Sequence, residues 1–327
     1  MTEPVTSPPP ASPSRWRGAL DSLGPLLGLA AVCGLFAALR YDTFVTWENF
    51  SIILLLTAVI GVAALGMTLV IIVGGIDLSV GSIIALGTVA IALLLERHWP
   101  PLAAALGGVL VSAACGSVSG VLITRLRLFP FIVTLGMMGA LRGAAKELAN
   151  SQPIYPDETW LNDIMRLGAK GQLPPAAWLV LGLAVLIAVM LRYTRFGRHV
   201  FAVGSNELTA RLCGVPVERV KFLVYTLGAA FAGMGAVLQF SYLSGGDPTT
   251  AVGLELNIIA AVVIGGASLA GGQGTVTGTI VGALIMSVVA NGCTKLGLDN
   301  PVQEIVTGGI IVAAALVDKL RQRRAQD

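Results

Sequence analysis

About ten apolar stretches fill most of this chain: residues 23–39, 51–73, 83–95, 102–122, 129–149, 175–191, 220–240, 255–268, 272–292 and 301–317. A helix needs about 20 mostly apolar residues to cross the hydrocarbon core of a bilayer. The pattern therefore predicts an all-α, polytopic membrane protein with about ten transmembrane helices. Composition agrees, because only 12% of the residues are charged and 55% are hydrophobic, where a soluble chain would carry about 25% charged residues. Two segments, 83–95 and 255–268, are short and flanked by glycine. Short, glycine-interrupted segments in transporters belong to broken or re-entrant helices, and that is the expectation for these two.

Charge between the segments sets the orientation. With the N-terminus in the cytoplasm, most of the 21 Lys and Arg residues fall inside: Arg15, Arg17, Arg125, Arg127, Arg192, Arg195, Arg198, Arg211, Arg219, Lys221 and the C-terminal Lys319, Arg321, Arg323 and Arg324. Arg40, Arg97, Arg166, Lys170 and Lys295 fall outside. The positive-inside rule selects this arrangement, with both termini cytoplasmic. Residues 1–22 are expected to form a disordered cytoplasmic tail, since 1–14 are rich in Pro, Ser and Thr. Residues 319–327 form a basic cytoplasmic tail. The first apolar stretch follows Arg15 and Arg17 like the core of a signal peptide, but no small-residue cleavage site closes it. It is read as a retained helix.

Several chemistries are excluded. No G-x-x-x-x-G-K-[ST] phosphate loop is present, so the chain does not hydrolyse ATP by that route. There is no HExxH, and His98 and His199 lie at segment ends on opposite sides of the membrane. Cys33, Cys115, Cys213 and Cys293 are widely separated and form no CxxC pair. No metal, no cofactor and no nucleic-acid partner is expected, and the chain is not expected to be an enzyme.

Two glycine-rich stretches remain. Gly74–Ser82 reads GGIDLSVGS and Gly265–Thr275 reads GGASLAGGQGT. Gly74, Gly75 and Gly81 let the backbone leave helical geometry or let helices approach closely. Asp77 is costly in lipid and must face protein, water or a helix N-terminus; with Ser79 it can cap the following helix. Gly265 and Gly266 suit close packing, and Asn257 can hydrogen-bond a hydroxylated substrate or anchor a helix end, as can Glu255. Arg142 and Lys146 share a helical face and are expected to snorkel to the outer interface. The outer loop 150–174, with Tyr155 and Trp160, suits a surface cap or partner contact. In the basic inner loop 192–220, Asn206–Leu212 can form a short helix that Gly214 and Pro216 end.

The GGIDLSVGS stretch resembles the signature of membrane permeases from ABC importers of the ribose/xylose/arabinose/galactose class. Phe131–Gly143 (FIVTLGMMGALRG), Val203–Lys221 (VGSNELTARLCGVPVERVK) and Gly253–Gly274 (GLELNIIAAVVIGGASLAGGQG) resemble three further segments of that family, in the same order. Ser205 and Thr209 depart from the smaller residues usual there, and Asn257 stands where Asp is common. The resemblance implies a permease domain over 23–318 in the cell inner membrane that works by alternating access. It also implies a second permease subunit, a cytoplasmic ABC ATPase subunit and a periplasmic or lipid-anchored sugar-binding protein, besides membrane lipid. Loop 192–220 would be the coupling loop, with Asn206, Glu207, Ala210, Arg211, Gly214 and Glu218 facing the ATPase. Gly74, Gly75, Asp77, Ser79, Gly81, Asn257, Gly265 and Gly266 would form helix breaks or line the pathway. The substrate would be a neutral pentose, hexose or polyol. Two alternatives stand beside this: a permease of the branched-chain amino acid type, and an ion-coupled secondary transporter built around Asp77.

Overall fold

The computed structural model describes residues 15–167 and 171–326, and these form thirteen α-helices. Residues 1–14, most of the expected tail, lie outside the described residues. In chain order the helices are α1 (Arg15–Leu39), α2 (Tyr41–Phe44), α3 (Trp47–Ile72), α4 (Val80–Glu96), α5 (Pro101–Thr124), α6 (Pro130–Leu148) and α7 (Pro175–Tyr193). Then follow α8 (Arg195–Ser205), α9 (Glu207–Leu212), α10 (Val217–Leu243), α11 (Leu254–Ile264), α12 (Val276–Lys295) and α13 (Asn300–Gln326). Five of them, α3, α5, α7, α10 and α12, are each long and apolar enough to cross a membrane. The segments at 83–95 and 255–268 form the shorter apolar helices α4 and α11.

Helix α3 is the axis of the fold. It is apolar on every side, and every residue from Thr57 to Val73 is buried. A helix hydrophobic all round has no face to offer to water and sits in the centre. Helices α7, α10, α11 and α12 pack on it, while α10 also lies along α4 and α5. Polar bridges pin these contacts: Thr68 Oγ1 lies 2.7 Å from Thr279 Oγ1 between α3 and α12, and Ser117 Oγ lies 3.0 Å from Thr226 Oγ1 between α5 and α10. Hydroxyls of this kind also bond the carbonyl four residues back in their own helix, as Thr68 does to Ala64.

The outward faces are apolar too. Leu102, Leu106, Leu110 and Val118 on α5, and Leu181, Val185, Leu186 and Val189 on α7, are exposed. Large contiguous apolar surface is not presented to water by a monomeric soluble protein; here lipid covers it. Residues 159–165 of the loop at 150–174 are folded. Thr159 caps a short 3₁₀ turn at Trp160–Asp163, Leu161 is buried, and Met165 N donates to Ser241 Oγ at the outer end of α10 (3.0 Å).

Candidate functional site

Three local structures carry the candidate functional residues.

Loop 192–220 folds into two helices rather than one. Thr194 caps α8 by accepting from Gly197 N (3.1 Å). Asn206 caps α9 by accepting from Thr209 N at its Oδ1 (2.9 Å). Gly214, at φ +80°, ends α9, and Ala210 is buried beneath it. Glu207, Arg211 and Glu218 bond one another. Arg211 donates to both carboxylates, and Lys221 Nζ donates to Glu207 Oε2 (2.6 Å). The Lys221 hydrogen bond is the main reason the Glu207 carboxyl is held below the usual carboxylate range. These three side chains stay about half exposed and also tie α9 to α10. Sequence reasoning missed what α9 does present: Leu208 and Leu212, 75% and 89% exposed. They are four residues apart and share a helical face; that spacing was the available signal.

The two glycine-rich stretches meet each other and the base of α9. Ile72 O, at the end of α3, accepts from Gly272 N (2.8 Å). Gly204, two residues before Asn206, lies so close that a Cβ there would overlap the Ile72 carbonyl and stand 2.7 Å from Gly272 N. Gly271, at φ +89°, lies against Gly204 O and Gly74. Gly265 in turn abuts the first turn of α12 at Gly278. Asp77 is buried in this region, and its Oδ1 accepts from Ser79 N (2.8 Å) and Ser79 Oγ (2.5 Å). This is a tight turn that leads the chain into α4. Ser79 occupies the cap position without making a side-chain cap bond. The buried Tyr225 hydroxyl abuts Gly75 and has no hydrogen-bond partner among the described residues. Gly266 joins the junction at φ +94°.

The third structure is an unwound segment, 244–253, that runs down beside α4. Gly246 lies against Thr88 and Ala92, Asp247 N donates to Thr88 Oγ1 (3.3 Å), and Ala251 O and Glu255 reach Gly81. At about 1.5 Å per helical residue, Thr88 lies about 12 Å and Gly81 about 22 Å along the axis from the outer end of α4. The chain therefore runs non-helically along α4 before α11 begins at Leu254, with Gly253 at φ +78° as its N-cap. Glu255 is consequently deep beside the start of α4 rather than at an outer helix end. Arg142 on α6 holds the segment: its Nη1 donates to Pro248 O (2.9 Å) and Thr250 O (2.6 Å). The expectation that Arg142 snorkels outward is corrected; carbonyls freed by the broken helix recruit it inward, while Lys146 and Glu147 stay exposed. Asn257 on α11 is half-buried, and its Oδ1 has no partner among the described residues. Among those residues no group of His, Cys, Asp or Glu is placed to hold a metal.

Comparison with known proteins is consistent with this geometry. Residues 49–315 match the family described as branched-chain amino acid transport system / permease component. The ribose import permease protein RbsC of Escherichia coli K12 is 38% identical over 311 residues, covering 94% of this chain and 95% of that protein. The L-arabinose ABC transporter permease protein AraH of Azospirillum brasilense is 40% identical, covering 98% and 96%. The D-allose transport system permease protein AlsC of Escherichia coli K12 is 32% identical, covering 92% of each. No solved structure matches.

Proposed function

The chain belongs to the permease family of the branched-chain amino acid transport system type, as a multi-pass inner-membrane protein, and on that footing we propose that it forms the translocation path of an ATP-driven carbohydrate importer. The family description alone would equally suit an amino acid. The relatives that align over nearly their whole length are named for ribose, arabinose and allose, which favours a neutral sugar. An ion-coupled transporter is disfavoured by Asp77, whose Oδ1 is taken up by Ser79 in a turn.

One observation carries the coupling part of this reading. A six-residue helix, braced from within its own chain, leaves two leucines exposed and stands on the junction of both glycine-rich stretches. A separate ATPase subunit receives Leu208 and Leu212 in a groove. Its closure pushes α9, and α8 passes the push through Gly204 to the linkers that join α3 to α4 and α11 to α12. A short rigid element driving a packed bundle between two arrangements is a familiar switching device. A second permease subunit closes the path. A sugar-binding protein docks on the outer face, where Tyr155 and Trp160 are exposed.

Cys213 offers the test. It is the one exposed cysteine among four and directly follows α9. A short thiol-reactive crosslinker on the native complex is expected to join Cys213 to an ATPase subunit. An intact complex that yields no such product would count against α9 as the contact.

A further inference from the structure

The electrostatics around the unwound segment are incomplete. Arg142 spends only Nη1 on the carbonyls of Pro248 and Thr250. Its Nη2 and Nε make no hydrogen bond among the described residues, and neither does the Glu255 carboxylate. Glu255 and Asp247 are the acidic groups that act on Arg142 electrostatically, yet neither forms an ion pair with it within 4.0 Å. Asp247 is otherwise engaged, since its Oδ1 accepts from Thr249 N and Thr249 Oγ1, both at 2.7 Å. That leaves one guanidinium edge and one carboxylate, close enough to attract and too far apart to satisfy each other.

Their placement is costly unless something polar reaches them. Arg142 lies about 9 Å inside the outer end of α6, by helical rise, and Glu255 is deeper still beside Gly81. Both are only half-buried. Charged groups at such depth face a bundle interior or a water-filled cavity, and unwound backbone there is tolerated only where it is covered by protein or lines such a cavity. The N-termini of α4 and α11 also meet here, an arrangement that in transporters marks a binding site near the membrane centre.

We propose that Arg142 and Glu255 form a contact site for the passing sugar, in which vicinal hydroxyls of a neutral polyol donate to the Glu255 carboxylate and accept from the free edge of the Arg142 guanidinium. The charges favour this class of ligand. Arg142 and Glu255 carry opposite charges and together offer open donors and open acceptors, the complement of an uncharged polyol. Val252 and Leu256, near Glu255 in the sequence, are exposed apolar side chains. This inference rests on the carbohydrate-importer reading above.

The test uses the complete transporter, with its ATPase and binding protein, in proteoliposomes given labelled D-ribose, L-arabinose and D-allose, and then deoxy analogues of whichever sugar is taken up. Glu255→Gln keeps the shape and removes the charge. It is expected to slow uptake about ten- to hundredfold, the worth of a hydrogen bond to a charged group. It should also narrow the wild-type discrimination between the sugar and at least one deoxy analogue. The binding protein is common to both assays, so its own preference cancels in that comparison. Unchanged uptake, or slower uptake with unchanged discrimination, would overturn the contact and leave Glu255 a structural role at most. If the wild type takes up none of the three sugars, the importer reading fails instead, and the two failures are distinguishable.

Discussion

Replacing both exposed leucines of α9, as Leu208→Glu with Leu212→Glu, is expected to abolish ATP-driven uptake while leaving the folded chain intact. Both side chains stand almost free of the rest of the chain, so their loss removes little internal packing. In the proposed complex each is buried in a groove of the ATPase, worth about 1.5–3 kcal/mol per leucine. Two carboxylates in the same groove add a desolvation cost. The sum corresponds to a loss of roughly two to four orders of magnitude in docking affinity. Co-purification of the ATPase should fail, and the thermal midpoint of the chain alone should stay put. Uptake within about twofold of wild type would remove α9 from the coupling path. Leu→Ala at the same positions should be intermediate, because it deletes area without adding charge.

Gly204→Val is expected to damage the chain itself. Its Cβ would overlap the Ile72 carbonyl and crowd Gly272 N, so the bond between those two groups cannot survive. Overpacking costs about 1–3 kcal/mol, and an unmade buried amide bond costs about as much again. Together these lower the thermal midpoint by roughly 5–10 °C. Uptake should fall further than stability alone explains, because the same contact joins the base of α9 to both glycine-rich linkers. Gly182→Val is the control: it sits on α7 with nothing within 4 Å of its added Cβ and should change neither property. If the two variants behave alike, the junction has no special standing.

Much of this arrangement could be read along the chain, because the features concerned are local. The short segments at 83–95 and 255–268 are the short helices α4 and α11, and the glycines beside them turn the backbone. The helix at Asn206–Leu212 was legible from an N-cap residue at one end and Gly214 at the other. Helix α8 was not: its basic residues gave it the look of a solvated loop, and its amphipathic face has meaning only against the bundle. Arg142 shows the limit most clearly. Its near neighbours on α6 suggested an outward-pointing charge, whereas its partners are carbonyls more than 100 residues away, exposed by a helix break whose path no local pattern records. Glu207, Arg211 and Glu218 were legible as polar residues of the loop at 192–220. Only the fold shows that they spend their charges on one another and leave the outward face of α9 to two leucines.

The account stands or falls on whether transport through this chain is driven by a separate ATPase. The direct measurement is uptake of labelled D-ribose, L-arabinose and D-allose into proteoliposomes, with the chain alone and with its ATPase and binding protein. The prediction is ATP-dependent accumulation of at least one sugar in the complete system and none with the chain alone under any ion gradient. Accumulation by the isolated chain in response to a proton or sodium gradient would contradict it.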